Sequence, residues 1–327
     1  MDKANRRHLI TPLLKRAFFI ACLSLLTACA SLNERILLVF LEPDPPELAE
    51  GVEVLRDIEY AQRDSGPLLL DIYRPTGSIN KPLPTILFFY GGAFQYGNKN
   101  QIGLYKGHDL PLDGFAVVAI NYRLSDVAPF PAAMEDGKAA VKWIKANAAT
   151  YQLDANNIGV WGASAGGMMA AFIGTSTEYG VRGKKMVRSR NDDYRVQAVV
   201  NYFGTTDFSQ GDANQYPGSN LNWSAADSWP SLFIGGPIGN QKNAVQVANP
   251  ITYVSKDDPP MLIVHGEKDD IVPIHQSLIL YEALKRAEVP VEMITVKDGG
   301  HGRGGDFDIT KLKEDIAAFF SAQLKTN

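Results

Sequence analysis

Short apolar runs without alternating polar positions recur along the chain, and segments with helical spacing separate several of them. Runs of this kind are typical of strands that are buried on both faces of a parallel sheet. Apolar or small residues recur every three to four positions in 132–148, 275–287 and 308–324, which predicts three helices with one apolar face each. The runs that predict strands are 85–90, 116–121, 157–162, 196–203, 261–265 and 291–296.

The repeated order of strand, helix and strand predicts an α/β fold, a mostly parallel twisted sheet with helices on both faces. Two earlier runs, 52–61 and 67–75, predict a pair of antiparallel edge strands joined by the turn residues Asp64-Ser65-Gly66. In open sheets of this class, ligands bind in the crevice at the carboxyl ends of the strands. Functional residues are therefore expected just after the apolar runs.

One connection departs from the alternation of strands and helices. A long segment rich in glycine, serine and asparagine separates Phe203 from the next predicted strand. Long insertions over a crevice are usually lids or binding walls. We therefore predict a small lid insertion at about 204–255. Its residues Tyr216, Trp223 and Trp229 either line a substrate site or anchor the lid to a small core of its own.

The first residues have the order of a targeting segment. Basic residues precede the apolar stretch "AFFIACLSLLTA" at 17–28, which is too short to span a bilayer comfortably. This order predicts a signal peptide over 1–28. The following residues, 29–50, are rich in proline and acidic residues and predict a tether before a main domain at 51–327.

The residues "LTAC" at 26–29 resemble the bacterial lipoprotein box. The resemblance implies that Cys29 is lipidated and that the protein is held in the cell envelope by an N-terminal lipid anchor. Ala30 and Ser31 follow the cysteine, which in that family suits the outer membrane. Secretion without lipidation is the alternative.

Composition narrows the possible functions. The 327 residues are 45% hydrophobic and 21% charged, as in an ordinary globular protein. The only cysteines are Cys22 and Cys29, so no disulfide is expected after the signal is removed. The signal carries five basic residues and one acidic residue, and its removal takes the formal charge from −4 to −8. An acidic protein is a poor candidate for nucleic-acid binding. No metal-ligand spacing is present, and no metal or cofactor is predicted.

A serine lies between two glycines at a predicted strand-to-helix joint, in Gly162-Ala163-Ser164-Ala165-Gly166. The pattern Gly-x-Ser-x-Gly is modest evidence by itself, but this position is the one that a nucleophile elbow requires. The tight turn lifts the serine hydroxyl clear of the sheet. The N–H of Ala165 would then point to the place where an oxyanion forms.

A second glycine-rich segment, Gly91-Gly92-Ala93, follows the run at 85–90. The N–H groups of Gly92 and Ala93 could face the crevice and stabilise an oxyanion together with that of Ala165. In isolation, the same residues would fit an ordinary turn after a strand. Their combination with Ser164 favours the oxyanion hole.

A serine nucleophile needs a base, and the base needs an orienting acid. His301 lies in a glycine-rich loop immediately after the last predicted strand, while His108, His265 and His275 have structural interpretations. Asp269 and Asp270 follow the run at 261–265 and are the acid candidates. Asp298 is also close to His301 in sequence, but it shares the same loop and is poorly placed to hold the imidazole.

These motifs resemble those of α/β-hydrolases of the carboxylesterase type, near the hormone-sensitive-lipase-like and the acetylxylan/feruloyl esterase-like enzymes. The resemblance covers about Glu53 to Leu324 and is carried by "YGGAF", "GASAGG", "HGEKDDIVP" and "GGHG". It implies an α/β-hydrolase fold with Ser164, Asp269 and His301 in the order of that fold. The family pattern His-Gly-x-x-Asp-x-x-Val-Pro puts the acid at Asp269. Tyr90 and Ala93 depart from the usual His-Gly-Gly-Gly loop.

The resemblance implies a serine esterase that acts on short-chain, acetyl or feruloyl esters through an acyl-enzyme. An amide hydrolase of the arylformamidase or peptidase type is the alternative with the same residues. An inactive α/β-hydrolase that serves as a binding module is the alternative from another class of protein.

Overall fold

An eight-stranded mixed sheet forms the centre of the protein in a computed structural model that describes residues 43–182, 185–188 and 194–325. The strands lie in the order β1-β2-β4-β3-β5-β8-β9-β10, and β2 is antiparallel to both of its neighbours while the other pairs are parallel. A separate hairpin is formed by β6 and β7. The bounds are β1 Val52–Arg63, β2 Gly66–Pro75, β3 Leu83–Phe89, β4 Ala116–Ile120, β5 Leu153–Ala163, β6 Tyr179–Arg182, β7 Lys185–Arg188, β8 Ala198–Tyr202, β9 Met261–Gly266 and β10 Val291–Val296.

All eight strands of this sheet were predicted from the apolar runs, with two differences. β5 begins at Leu153 instead of 157, because Leu153 pairs with Leu83 of β3 ahead of a register shift. β2 was expected at an edge, but it lies between β1 and β4, so only β1 is an edge strand at this side. The hairpin β6–β7 was not predicted.

Helices cover both faces of the sheet, as the sequence predicted. Neighbouring residues of a strand point to opposite faces. The Phe88 ring packs edge-on against Trp161, with centroids 5.0 Å apart, whereas Phe89 lies against Gly137 of the first helix. On the Trp161 face, Phe320 of the last helix packs on Gly159. The helices are α1 Ala132–Tyr151, α2 Ala165–Thr175, α3 Trp229–Ile234, α4 Lys242–Ala248, α5 His275–Arg286 and α6 Ile309–Leu324.

The connection between β8 and β9 is a structured insertion that contains α3, α4 and several short 3-10 turns. Aromatic rings hold it together: Trp223 and Trp229 lie with centroids 5.0 Å apart, and Phe208 packs on both. Phe233 stacks on Phe94 at 4.0 Å. This contact fixes the insertion to the loop that follows β3.

The described part of the expected tether, residues 43–50, lies on the domain. The carbonyl of Pro43 accepts a hydrogen bond from Asn100 Nδ2 at 3.0 Å, and Leu48 packs against the core. The predicted signal peptide and Cys29 lie outside the described residues. Within the described ranges, no helix combines the length and apolar character needed to cross a membrane.

Candidate active site

Ser164 occupies the turn between β5 and α2, with the unusual backbone angles φ 56° and ψ −118°. Two glycines make this turn possible. A Cβ on Gly166 would lie 2.0 Å from the carbonyl oxygen of Phe89, and one on Gly162 would lie 2.2 Å from that of Gly166. Only glycine therefore allows the turn to pack so closely on β3. A non-glycine residue at positive φ is strained, and strain of this kind often lies at functional sites.

His301 lies in the loop after β10 and connects the serine to a carboxylate. Its Nε2 is 2.8 Å from Ser164 Oγ, and its Nδ1 is 2.7 Å from Asp269 Oδ2. The Phe203 ring packs against the imidazole with centroids 4.6 Å apart. The structure thus joins three residues that are 137 and 32 positions apart into one hydrogen-bonded chain.

Asp269 lies in the loop after β9, and its side chain is fully buried. Its Oδ1 accepts hydrogen bonds from the N–H groups of Ile271 and Val272, both at 2.9 Å. Burial by itself raises the pKa of this carboxyl, but His301 and His265 outweigh that effect and hold the pKa well below its ordinary value. The carboxylate therefore stays ionised beside the imidazole.

The other acid candidates have different partners. Asp270 pairs with Arg303 Nη2 at 2.9 Å, and Asp298 pairs with Lys268. The structure therefore brings Asp269 to His301, and it brings neither Asp270 nor Asp298 there.

The other three histidines of the described ranges lie where the sequence suggested, at a helix start, in the connection before β4 and at a strand end. His275 begins α5 and is 3.0 Å from Gln210 Oε1, while His108 lies 3.5 Å from Asp109. His265 is buried below the loop that carries Asp269, and its Nε2 is 2.8 Å from the carbonyl oxygen of Val272.

The expected oxyanion residues are partly brought together. Ala93 and Ala165 line the same cavity as Ser164, whereas Gly92 lies outside this lining. Gly92 has φ 121°, and a Cβ there would lie 2.2 Å from the carbonyl oxygen of Tyr96. Ala93 follows at φ 56°. The glycine thus permits a tight turn that brings Ala93 to the cavity.

The cavity has a volume of about 510 Å³, and the insertion supplies a large part of its wall through Trp229 and the segment 218–221. Ser219 Oγ donates a hydrogen bond to the carbonyl of Asp270 at 2.9 Å, which connects this segment to the loop that carries Asp269. Sequence reasoning named Trp229 but missed 218–221, because no periodicity or motif marks that segment.

The other two aromatic residues of the insertion have different environments. Trp223 is fully buried among rings of the insertion, and Tyr216 is 36% exposed. Neither lines the cavity at Ser164. Both interpretations offered by the sequence therefore apply: Trp229 faces the cavity, and Trp223 anchors the insertion.

No group of three or more His, Cys, Asp or Glu side chains within the described ranges has an arrangement that could hold a metal ion. The chemistry that this site can perform with its own residues is nucleophilic attack by Ser164, with His301 as the base.

The fold and the site define an α/β-hydrolase of the carboxylesterase type. Within that class, the chain belongs to the BD-FAE family, whose model matches residues 70–284.

The chain is also similar to individual esterases. The chain is 26% identical over 267 residues to "Esterase LipC" of Mycobacterium tuberculosis, covering 80% of this chain and 64% of LipC. It therefore spans just under two thirds of that relative's length. Among solved structures, the "Truncated form of carbohydrate esterase from gut microbiota" has a TM-score of 0.74 at 31% identity and covers 86% of this chain and 100% of that one. A "Bifunctional GH43-CE" from Bacteroides eggerthii has a TM-score of 0.71 at 35% identity, covering 82% and 38% of the two chains.

Proposed function

We propose that this protein is a serine esterase that hydrolyses carboxylic esters through Ser164, His301 and Asp269. The observation that carries the proposal is the hydrogen-bonded chain from Ser164 Oγ through His301 to the buried Asp269, with Ser164 open to a cavity. A serine, a base and an orienting acid in this order of contact are the parts that acyl transfer requires.

In the first step, Ser164 Oγ attacks the ester carbonyl and His301 Nε2 takes the hydroxyl proton. Asp269 holds the imidazole through Nδ1 and stabilises its charged form. We assign the stabilisation of the negative charge that develops on the carbonyl oxygen to the N–H groups of Ala93 and Ala165, which line the cavity, and to that of Gly92, which precedes Ala93 in the same turn. Each such donor typically contributes about 3 kcal/mol to transition-state stabilisation.

The first tetrahedral intermediate then collapses: its bond to the alcohol oxygen breaks, His301 gives its proton to that oxygen, and the alcohol departs and leaves an ester on Ser164. His301 then accepts a proton from water, whose oxygen attacks the acyl carbonyl. Collapse of this second intermediate releases the acid and returns the proton to Ser164. No other reagent is needed.

For the substrate, we propose a short-chain, acetyl or feruloyl ester. A volume of about 510 Å³ lies in the lower half of the range for small-molecule sites. The cavity combines an aromatic ring with polar groups, through Trp229, Asn220 and Asp270. A structural neighbour described as a carbohydrate esterase supports an ester whose alcohol is a sugar.

The test is hydrolysis of p-nitrophenyl esters from acetate to decanoate by the wild type, by Ser164→Ala and by Ser78→Ala. Ser78 is an exposed serine outside the site and serves as the matched control. We expect turnover of acetate and butyrate by the wild type and by Ser78→Ala, and a loss of at least about 10³-fold in Ser164→Ala.

Three other outcomes identify the alternatives. Ester hydrolysis by Ser164→Ala at the wild-type rate would contradict the assignment of Ser164 as the nucleophile. Turnover of formanilides or peptides without turnover of any ester would identify an amide hydrolase. An inactive binding module would hydrolyse none of the esters, formanilides or peptides.

For the location, we propose a lipoprotein of the cell envelope that is anchored in the outer membrane through a lipid on Cys29. The proposal is supported by the basic and apolar order of 1–28 and by "LTAC" at 26–29. Mass spectrometry of the N-terminal peptide from an envelope fraction should find a diacylglyceryl group on Cys29. A Cys29→Ser variant should lose that mass and leave the membrane fraction; an unmodified Cys29 in the wild type would contradict the proposal.

A further inference from the structure

A second histidine contacts the carboxylate that holds His301. His265 is the penultimate residue of β9, and its side chain is completely buried. Its Nε2 lies 3.2 Å from Asp269 Oδ2 and 2.8 Å from the carbonyl oxygen of Val272. Its Nδ1 lies 2.7 Å from Ser277 Oγ, in the first turn of α5. The carboxylate of Asp269 therefore lies between two imidazoles, and each imidazole also contacts a serine.

The surroundings of His265 determine which ring nitrogen carries hydrogen. The two groups opposite Nε2, a carbonyl oxygen and a carboxylate oxygen, can only accept hydrogen bonds. Nε2 therefore carries the hydrogen and donates it to the carbonyl oxygen of Val272 at 2.8 Å, and Asp269 Oδ2 lies 3.2 Å from the same nitrogen on the side of that hydrogen-bearing atom. In the neutral ring, Nδ1 is then an acceptor for the hydroxyl of Ser277. This arrangement satisfies both nitrogens of a fully buried histidine.

The charged groups around the ring are few in the described part of the chain. Asp269 contacts the ring directly, and His301 lies on the far side of that carboxylate. From the end of β8, the Phe203 ring packs edge-on at a centroid distance of 6.4 Å. From α5, the polar contact comes from the uncharged Ser277.

The backbone hydrogen bonds to Asp269 fix only one of its two carboxylate oxygens. The N–H groups of Ile271 and Val272 both bind Oδ1. In the described residues, the backbone donors to Asp269 thus reach Oδ1, whereas Oδ2 faces His301 Nδ1 at 2.7 Å. Because the backbone donors bind only Oδ1, they do not by themselves fix the position of Oδ2. His265 Nε2–H provides a second point from a rigid strand.

We propose that His265 is a positioning residue of this site, which holds Asp269 Oδ2 in line with His301, while Ser277 fixes the tautomer that allows it to do so. The inference rests on the proposed function, because the geometry that His265 fixes matters through the activation of Ser164. His265 acts through Asp269 and does not touch the substrate.

The experiment measures two rates on the full chain: turnover of p-nitrophenyl acetate per active site, and phosphonylation of Ser164 by a fluorophosphonate. The second reaction needs no natural substrate, since Ser164 Oγ bonds to phosphorus, fluoride leaves and His301 takes the proton. The variants are His265→Leu, which removes the donor, and His265→Gln, whose amide nitrogen restores one. His275→Leu is the matched control, because His275 begins α5 and contacts Gln210 instead of the triad.

We expect His265→Leu to lower kcat and the phosphonylation rate by about 10- to 100-fold, as small displacements of a catalytic group do, with KM within about 3-fold of wild type. His265→Gln should recover most of both rates. Ser277→Ala should lower them by roughly 2- to 5-fold, since it loosens the ring without removing the donor. His275→Leu should stay within about 2-fold of wild type.

Wild-type rates in His265→Leu would overturn the inference, and so would equal losses in the Leu and Gln variants at wild-type melting temperature. If His265→Leu does not fold, Ser277→Ala decides: rates at the level of the His275→Leu control would overturn the inference. Rapid phosphonylation of a wild type that hydrolyses no ester would contradict the proposed function, while the labelling rates would still test His265. No phosphonylation of the wild type would overturn both.

Discussion

Two regions of the molecule meet at the cavity, and they are held in different ways. The triad region, defined as Ser164, Asp269 and His301 on the loops after β5, β9 and β10, is fixed by hydrogen bonds of 2.7–2.9 Å and by a strained turn. The insertion region, 204–255 between β8 and β9, has a core of aromatic rings, such as Trp223 with Trp229, in addition to hydrogen bonds such as that from Asn249 Nδ2 to Asp207 Oδ1 at 2.7 Å.

Because of this difference, we expect the two regions to differ in how strongly a substitution affects activity. Hydrogen bonds weaken steeply with angle and distance, so small changes in the triad region should cost activity directly. Apolar contacts are non-directional, and a core of aromatic rings tolerates substitution more easily. Changes in the insertion region should therefore alter which ester fits and leave the chemistry in place.

The largest effect is expected from Asp269→Asn in the triad region. An amide cannot stabilise the imidazolium, and its NH₂ group favours the wrong tautomer of His301. We expect kcat to fall by about 10⁴-fold at neutral pH, with little change in KM. Asp270→Asn is the control, because Asp270 lines the cavity and pairs with Arg303 but does not contact His301; kcat should stay within about 5-fold of wild type. A large loss in the control with none in Asp269→Asn would reverse the assignment of the acid.

A second test compares glycines from the two regions. In Gly166→Ala, the new Cβ would lie 2.0 Å from the carbonyl oxygen of Phe89, so the turn at Ser164 must shift. We expect the free energy of unfolding to fall by about 1–3 kcal/mol and activity to fall with it. In Gly239→Ala, no atom lies within 4 Å of the new Cβ, and the melting temperature should change by about 1 °C or less. Equal melting temperatures by calorimetry would contradict this account of the turn.

The smallest effect is expected from Trp229→Ala in the insertion region. Removing the ring enlarges the cavity at Ser164, and each additional buried methylene contributes about 0.8 kcal/mol. The ratio of kcat/KM for hexanoate to that for acetate should therefore rise several-fold, while kcat for acetate stays within about 3-fold. Leu232→Ala removes an exposed side chain of the same helix and should leave the ratio unchanged. Equal ratios in both variants would show that Trp229 does not limit the substrate.

The elements that the sequence predicted well are those with a strong local signal. The parallel strands are apolar throughout because both of their faces are covered, as β4 and β8 are at every position. Ser164 and His301 could be singled out because glycines and strand ends surround them. The choice of Asp269 over Asp270 depended on a family pattern, and adjacent aspartates gave no physical reason to prefer one.

The parts that were not predicted depend on contacts between distant residues. Nothing local distinguishes the segment 218–221 as a cavity wall, since its position follows from the packing of Phe233 on Phe94 and from Ser219 on the loop of Asp270. His265 looked like an ordinary residue at a strand end. Its relation to His301 exists only because both side chains reach the same carboxylate.

By itself, the sequence determined the α/β architecture, the strand-to-helix turn at Ser164 and the chain order of serine, acid and histidine, because periodicity and glycine spacing act over a few neighbouring residues. Only the tertiary structure decided which carboxylate meets His301, which face of the insertion closes the cavity and what supports Asp269. Hydrogen bonds act over about 3 Å, and the partners in these contacts are tens to more than a hundred residues apart along the chain.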